Sequence, residues 1–270
     1  QQNYFTEINV EMDYDPINIV QGQQKDTITE NGIHFIGKTA VLHQYKTRHF
    51  LDHIYTRRDS LYSLDDIDLT YRRLSDLGIF RFVNIRMESG AVIDSTGKLP
   101  LKCNILLAPQ DKQELKLEVE ATNNGGNFGI AGNLVYRNKN FLKGAETFTF
   151  KLKGGLELQQ NFGDTTYEST RRLAIFNAYE IGPEITLSVP RALWPFNTGK
   201  EKRISNPVTS ISAGFNTQNR PEYFRQLFNL SYYHTRKLSK YNRIYFYPAE
   251  INYLKVSLDP AFRAQLTEIG

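Results

Sequence analysis

The sequence predicts a small α+β unit of order β-α-α-β-β, followed by antiparallel strands of a partial transmembrane β-barrel, about seven of them. Three observations predict it. From residue 113 to residue 160 apolar and polar residues alternate almost without a slip, broken only at two turns rich in Asn and Gly. Ahead of that run, two stretches carry apolar residues at helical spacing and sit between shorter alternating stretches. No segment stays apolar long enough for a transmembrane helix, and the mean hydropathy is -0.48. A barrel tolerates that average, because only every second strand residue meets lipid.

The first element is a half-buried strand over residues 4–14, with Ile8, Val10, Met12 and Tyr14 on one face and Glu7, Asn9, Glu11 and Asp13 on the other. Asp15 and Pro16 end it, and the polar stretch up to Asn31 and Gly32 reads as a loop. A short helix is expected around residues 48–55, with Leu51, Ile54 and Tyr55 on one side. The next helix has a clear start. Ser63 stands three residues before Asp66, so its hydroxyl is placed to satisfy an amide of the first turn. Leu64, Ile67, Tyr71, Leu74 and Leu77 recur at helical spacing, and Gly78 supplies a left-handed stop. Residues 79–87 and 99–108 then read as strands. Cys103, the single cysteine, excludes an internal disulfide and shares a face with Leu99, Leu101, Ile105 and Leu107, where it packs as a small apolar residue.

The long run begins with residues 114–123. Leu115, Leu117, Val119 and Ala121 alternate with Glu114, Lys116, Glu118 and Glu120, which gives a strand whose two faces suit opposite solvents. After Asn123-Asn124-Gly125-Gly126 the apolar set is Phe128, Ile130, Gly132, Leu134 and Tyr136. After residues 137–144 it is Phe148, Phe150, Leu152, Leu156 and Leu158, opposite Thr147, Thr149, Lys151, Lys153 and Glu157. Strands of about ten residues exceed the roughly 5 to 6 typical of soluble sheets and match a tilted membrane strand. Further strands are expected near residues 173–189, 208–216, 223–233 and 243–256. Bacterial barrels close with an even number of strands, about eight or more, so the chain is expected to be the N-terminal portion of a longer one. The 16 Tyr and 17 Phe suit interfacial girdles, and they suit an aromatic-rich soluble sandwich as well.

Certain motifs resemble a known family. Tyr62 and Ser63 before the second helix, followed by LSDLGIFRFVNI at 74–85, resemble a polypeptide-transport-associated (POTRA) domain. The stretch NLVYRNKNFLKGAE at 133–146 is similar to the second strand and first periplasmic turn of the outer-membrane assembly superfamily of BamA and TamA, the bacterial surface antigen type. LSVPRALWPF at 187–196 and NTQNRPEY at 216–223 resemble its TamA-type lipoprotein branch. The family's arginine-glycine-aromatic loop motif and its terminal aromatic strand are absent from these residues. The resemblance implies a POTRA-like periplasmic domain over 1–111 and the N-terminal portion of an outer-membrane barrel over 112–270.

It also implies a function: insertion or export of outer-membrane and surface proteins, without enzymatic chemistry or cofactor. The first barrel strand, with Leu115, Lys116, Leu117, Glu118, Val119 and Glu120, would be a gate strand, and Phe80, Phe82, Val83 and Ile85 would mark an edge strand of the POTRA-like domain. Both would take client strands by β-augmentation. The simpler reading of the second is that Val83 and Ile85 pack under the helices while Phe80 and Phe82 line an ordinary sheet. The implied partners are nascent outer-membrane or surface proteins and the lipid bilayer, with periplasmic or lipoprotein accessory subunits left open. A passive porin-like or secretion pore of the same superfamily is the alternative, and a soluble periplasmic binding module a second.

Other chemistry finds little support. His49 and His53 are four residues apart on the expected short helix, but without the acidic neighbour of a His-Glu-x-x-His site they read as a solvent-facing surface. His34, His43 and His234 are isolated, and no nucleophile elbow or phosphate-binding glycine loop occurs. The formal charge of +4 is dispersed, which argues against nucleic acid. Gly125-Gly126 reads as a tight turn and Gly154-Gly155 as a close approach of strands. Trp194, the only tryptophan, lies in a long segment over 191–207 where a periplasmic turn is expected, and reads as an interfacial anchor or a docking point for a partner.

Overall fold

The computed structural model describes residues 3–16, 24–90, 99–124, 127–158, 177–193, 206–237 and 241–269. They form two sheets. The first has five strands in the order β2-β3-β1-β5-β4, from β1 (Asn3–Glu11), β2 (Asp26–Glu30), β3 (Ile33–Gly37), β4 (Phe80–Ser89) and β5 (Leu99–Pro109). β1 lies at its centre, parallel to both β3 and β5. A bulge between Phe5 and Glu7 changes the phase of β1, so Phe5 and Ile8 both reach the core even though their spacing is odd. From there Ile8, Val10 and Met12 continue the buried row as expected.

One face of this sheet is covered by helices. They are α1 (Thr39–Leu42), α2 (Thr47–Phe50) with a 3-10 turn at Leu51–His53, and α3 (Leu64–Asp76). Leu42, Tyr45, Phe50, Ile54 and Leu74 close over Ile8, Phe35, Cys103, Ile105 and Leu107. Burial pushes the Cys103 thiol up to about 12, which keeps it neutral and inert. Ser63 accepts the Asp66 amide proton at 3.3 Å, and Gly78 ends the helix at φ +67°. The apolar stripe of α3 is narrower than its spacing suggests. Leu74 is buried and Ile67 packs against the core, whereas Leu64 and Tyr71 stay exposed.

Two expectations are corrected here. The stretch before Asn31 and Gly32, expected as a loop, contains β2, and these two residues form the hairpin turn to β3 at φ +51° and +74°. Asn followed by Gly is the pair that adopts such a turn most readily. The expected helix over 48–55 runs instead over 47–53, as α2 continued by the 3-10 turn, with α1 ahead of it, and it stops short because Ile54 leaves in extended conformation to bury its side chain.

Residues 110–112 join the two sheets. The Gln110 amide donates to Ile79 O at 2.9 Å and the Lys112 carbonyl accepts from the Lys139 amide at 2.8 Å. The second sheet is a meander of β6 (Gln113–Asn124), β7 (Asn127–Asn138), β8 (Thr147–Leu158), β9 (Ala178–Val189), β10 (Asn206–Asn219), β11 (Tyr223–Lys237) and β12 (Arg243–Leu258), and α4 (Pro260–Ile269) follows. Each strand pairs antiparallel with the next, and β6 and β12 are not paired with each other. The strands have 12 to 16 residues. A strand of that shorter length is about 40 Å long and, tilted near 45°, crosses about 28 Å, the thickness of a hydrocarbon core. This sheet fits part of a barrel wall. Of the strand expected near residues 173–189, the first four positions lie outside the described residues, as do Gly125 and Gly126.

Register sorts its side chains cleanly. Leu117, Leu134 and Leu152 lie abreast on one face, and so do Ala121, Ile130 and Leu156. The opposite face is polar and internally bonded. Lys151 pairs with Glu184 at 3.3 Å, Ser188 with Ser210 at 2.8 Å, Asn216 donates to Glu180 at 2.7 Å, and Arg220 pairs with Glu157 at 3.1 Å. The close approach expected at Gly154 and Gly155 lies instead at Gly129. A Cβ there would stand 2.7 Å from Leu156 O and from Thr122 Oγ1, whereas the nearest atoms to Cβ positions on Gly154 and Gly155 are 3.9 Å away.

Candidate functional site at two open edges and the joint between the sheets

β6 has a strand partner only on its β7 side, so the N–H and C=O groups of its other side have no ladder among the described residues. Leu115, Leu117 and Val119 point from one face, each 70% exposed. Lys116, Glu118 and Glu120 lie on the other, with Lys116 and Glu118 paired at 2.6 Å. Arg137 on β7 reaches its cross-strand neighbour Glu114 at 3.3 Å at the start of the strand. An incoming strand here would meet free backbone groups between an apolar and a charged face.

β4 is likewise an edge, bonded only to β5. A bulge between Phe80 and Phe82 alters the expected pairing of side chains. Phe80 and Val83 are buried and Ile85 packs beside them, while Phe82 emerges on the opposite face and stacks on Tyr14 at 6.1 Å. Phe80 and Phe82 therefore do not line one face together. The extra residue, Arg81, turns Phe80 toward the core aromatics Tyr45 and Phe50. The backbone of β4 remains the only part of it that offers a strand-pairing surface. Trp194 lies outside the described residues.

The joint between the sheets is a third structured region. The turn from β7 to β8 packs against α2 and the segment between α1 and α2, and Asn140, Ala145 and Glu146 are buried in it. Lys143 and Ala145 hold positive φ of +70° and +62°, conformations that cost about 1 kcal/mol or more each without glycine. Side chains hold them there. Asn140 Oδ1 accepts the Ala145 amide at 3.0 Å, and Glu146 Oε2 accepts the Gly144 amide at 2.8 Å. A Cβ at Gly144 would stand 2.6 Å from the Glu146 carboxylate and 3.0 Å from the His49 ring, so a larger residue would displace these two side chains.

Bonds then cross to the first unit. Asn140 Nδ2 donates to Gln44 O at 2.9 Å, and the Lys46 amide donates to Lys143 O at 2.7 Å. Arg191, just past β9, donates to His49 Nδ1 at 2.8 Å and lies 3.7 Å from Glu146. Farther along, Asp76 at the end of α3 accepts from Asn206 at 3.0 Å and lies 4.0 Å from Lys237. Burial in the joint, reinforced by Arg191, moves His49 below the ordinary imidazole range against the opposing pull of Glu146. His49 thus faces the joint and not open solvent as its sequence context suggests. Among the described residues no group of three or more His, Cys, Asp or Glu is placed to hold a metal.

No protein-family model matches the chain, and no curated protein does. Among solved structures it is similar to BamA from Haemophilus ducreyi lacking POTRA domains 1-3, at 12% identity and a TM-score of 0.33 over 88% of this chain and 53% of that one. It is also similar to CdiB from Acinetobacter baumannii, at 9% identity and a TM-score of 0.34 over 95% of this chain and 64% of that one. The chain spans about half the length of the first structure and less than two thirds of the second.

Proposed function

We propose that the chain is part of an outer-membrane factor that inserts or exports other polypeptides, with β6 as the strand that receives them and the five-stranded unit in the periplasm. The single observation that carries this reading is the free edge of β6, set between a face of exposed Leu and Val and a face of Glu and Lys. A client strand adds to that edge through main-chain hydrogen bonds, which accept almost any sequence. Alternation in the client sets its register, apolar side chains toward lipid and polar ones toward the ion-paired face. Capture on the β4 backbone precedes it, and release is noncovalent, needing neither cofactor nor nucleotide. TamA-type sequence motifs support placing the chain in that branch of the assembly superfamily.

The test is site-specific crosslinking. A photoactivatable residue at Lys116 in the full-length protein is expected to give adducts with nascent outer-membrane chains in cells. No adduct at Lys116, with adducts from an inner-face position such as Lys153, would replace the gate by a passive export pore. Recovery as a soluble monomer without detergent would overturn the membrane reading altogether.

A further inference from the structure

The joint contains a polar cluster that strand capture does not use. Arg191 carries a guanidinium, which has donors and no acceptor, so its 2.8 Å bond to His49 Nδ1 requires that nitrogen to be the acceptor. The imidazole is therefore neutral, with its proton on Nε2. A second proton on the ring would set N–H against N–H and place two cations side by side. The surroundings decide which form is held. From the turn Glu146 faces the ring, from the segment after β9 Arg191, and from its own side of the joint Lys46 and Asp52. Two are cations and two anions, and burial tips the balance toward the neutral ring. The Glu146 side chain is 3% exposed, with the Gly144 amide at 2.8 Å and Arg191 as its cation. A turn with two residues at positive φ is held against α2 by this cluster.

We propose that His49, Arg191 and Glu146 form a proton-operated latch, which fastens the five-stranded unit to the near end of the seven-stranded sheet while His49 is neutral and releases it when His49 is protonated. The remaining crossings, through Gln44 and Asn140, through Lys46 and Lys143, and through Asp76 with Asn206 and Lys237, keep the unit tethered, so release produces a swing and not a separation. The sign follows from the lowered imidazole. The latch is fully formed above the ordinary value of 6.5 and is lost as the pH falls through the lowered value of the closed joint. With one proton involved, the ratio of open to closed molecules rises by at most about tenfold per pH unit. The latch concerns the joint alone and stands or falls separately from client capture at β6.

The experiment measures spin-label distances in the full-length protein in nanodiscs, with labels at Thr27→Cys on exposed β2 and Glu120→Cys on β6. Cys103 is buried and inert and stays unlabelled. One distance population is expected near pH 7.5, and a second, separated population is expected to grow several-fold toward pH 5. H49N keeps a neutral acceptor near the Nδ1 position and should stay closed throughout. R191M should show the separated population at every pH. A wild-type distribution that does not change with pH, or an H49N response that tracks the wild type, would overturn the latch. Should H49N not fold, the R191M series decides the matter, since a pH response persisting without Arg191 also overturns it.

Discussion

The two sheets use the same two-residue period and place their apolar residues in opposite surroundings. In the five-stranded unit, Ile8, Phe35, Ile105 and Leu107 are shut under three helices and are at most 1% exposed. In the seven-stranded sheet, Leu115, Leu117, Ile130, Leu156 and Ile251 form a comparable apolar face with no layer over it among the described residues. The first sheet is therefore held by its own core, and its polar face, where Asn9 bonds Asn104 and Lys102 pairs with Glu7, can remain in water. The second has its polar face internally bonded and, among the described residues, its apolar face open, which is the arrangement the proposed membrane reading uses. The difference shows that period specifies a strand, while the covering of each face specifies the medium.

Four substitutions, two of them with a control beside them, test that contrast in descending order of effect. Phe35→Ala should cost about 3 to 5 kcal/mol by emptying the core of the first sheet. Hydrogen exchange should show protection lost in β1 and β3 but kept in β7 to β10, and loss spread over both sheets would mean they share one core. Leu117→Arg, on the open face near the middle of β6, should cost about 2 to 4 kcal/mol in denaturant titrations in lipid vesicles. Lys116→Leu, one residue away on the charged face, should change little, and equal effects from the two would contradict the assignment of faces. Gly129→Val should cost about 1 to 3 kcal/mol through its clash with Leu156 and Thr122, with Gly154→Ala as the near-silent control in the same titration. Ser63→Ala should lower the thermal stability of the first unit by about 1 kcal/mol, because one amide at the start of α3 loses its acceptor.

Several elements were legible because each depends on its own residues. The cap at Ser63, the stop at Gly78 and the alternation from Leu115 onward all act within a few positions, and each occurs where the pattern puts it. β2 is hard to read from sequence because four of its five residues from Asp26 to Glu30 have polar side chains and offer no apolar row. The Asn31 and Gly32 pair is the available clue, since these two residues form the turn of a hairpin and not the end of a loop. Bulges hid the facing of Phe5 and Phe80, since one extra residue reverses every side chain beyond it. The joint was not legible at all. Its partners are 96 residues apart for Gln44 and Asn140 and 142 apart for His49 and Arg191, and no local pattern announces a contact at that range.

The three residues between β5 and β6 have a mechanical consequence. A link of that length extends to about 10 Å at most, and here it is pinned at one end to Ile79 and at the other to Lys139. It is too short to absorb by itself the swing that release of the joint allows. Torque applied to the five-stranded unit is therefore passed into the root of β6 and twists the strand about its own axis. The two sheets work as a crank and its shaft, and a load on the smaller one is felt first at the free edge of the larger.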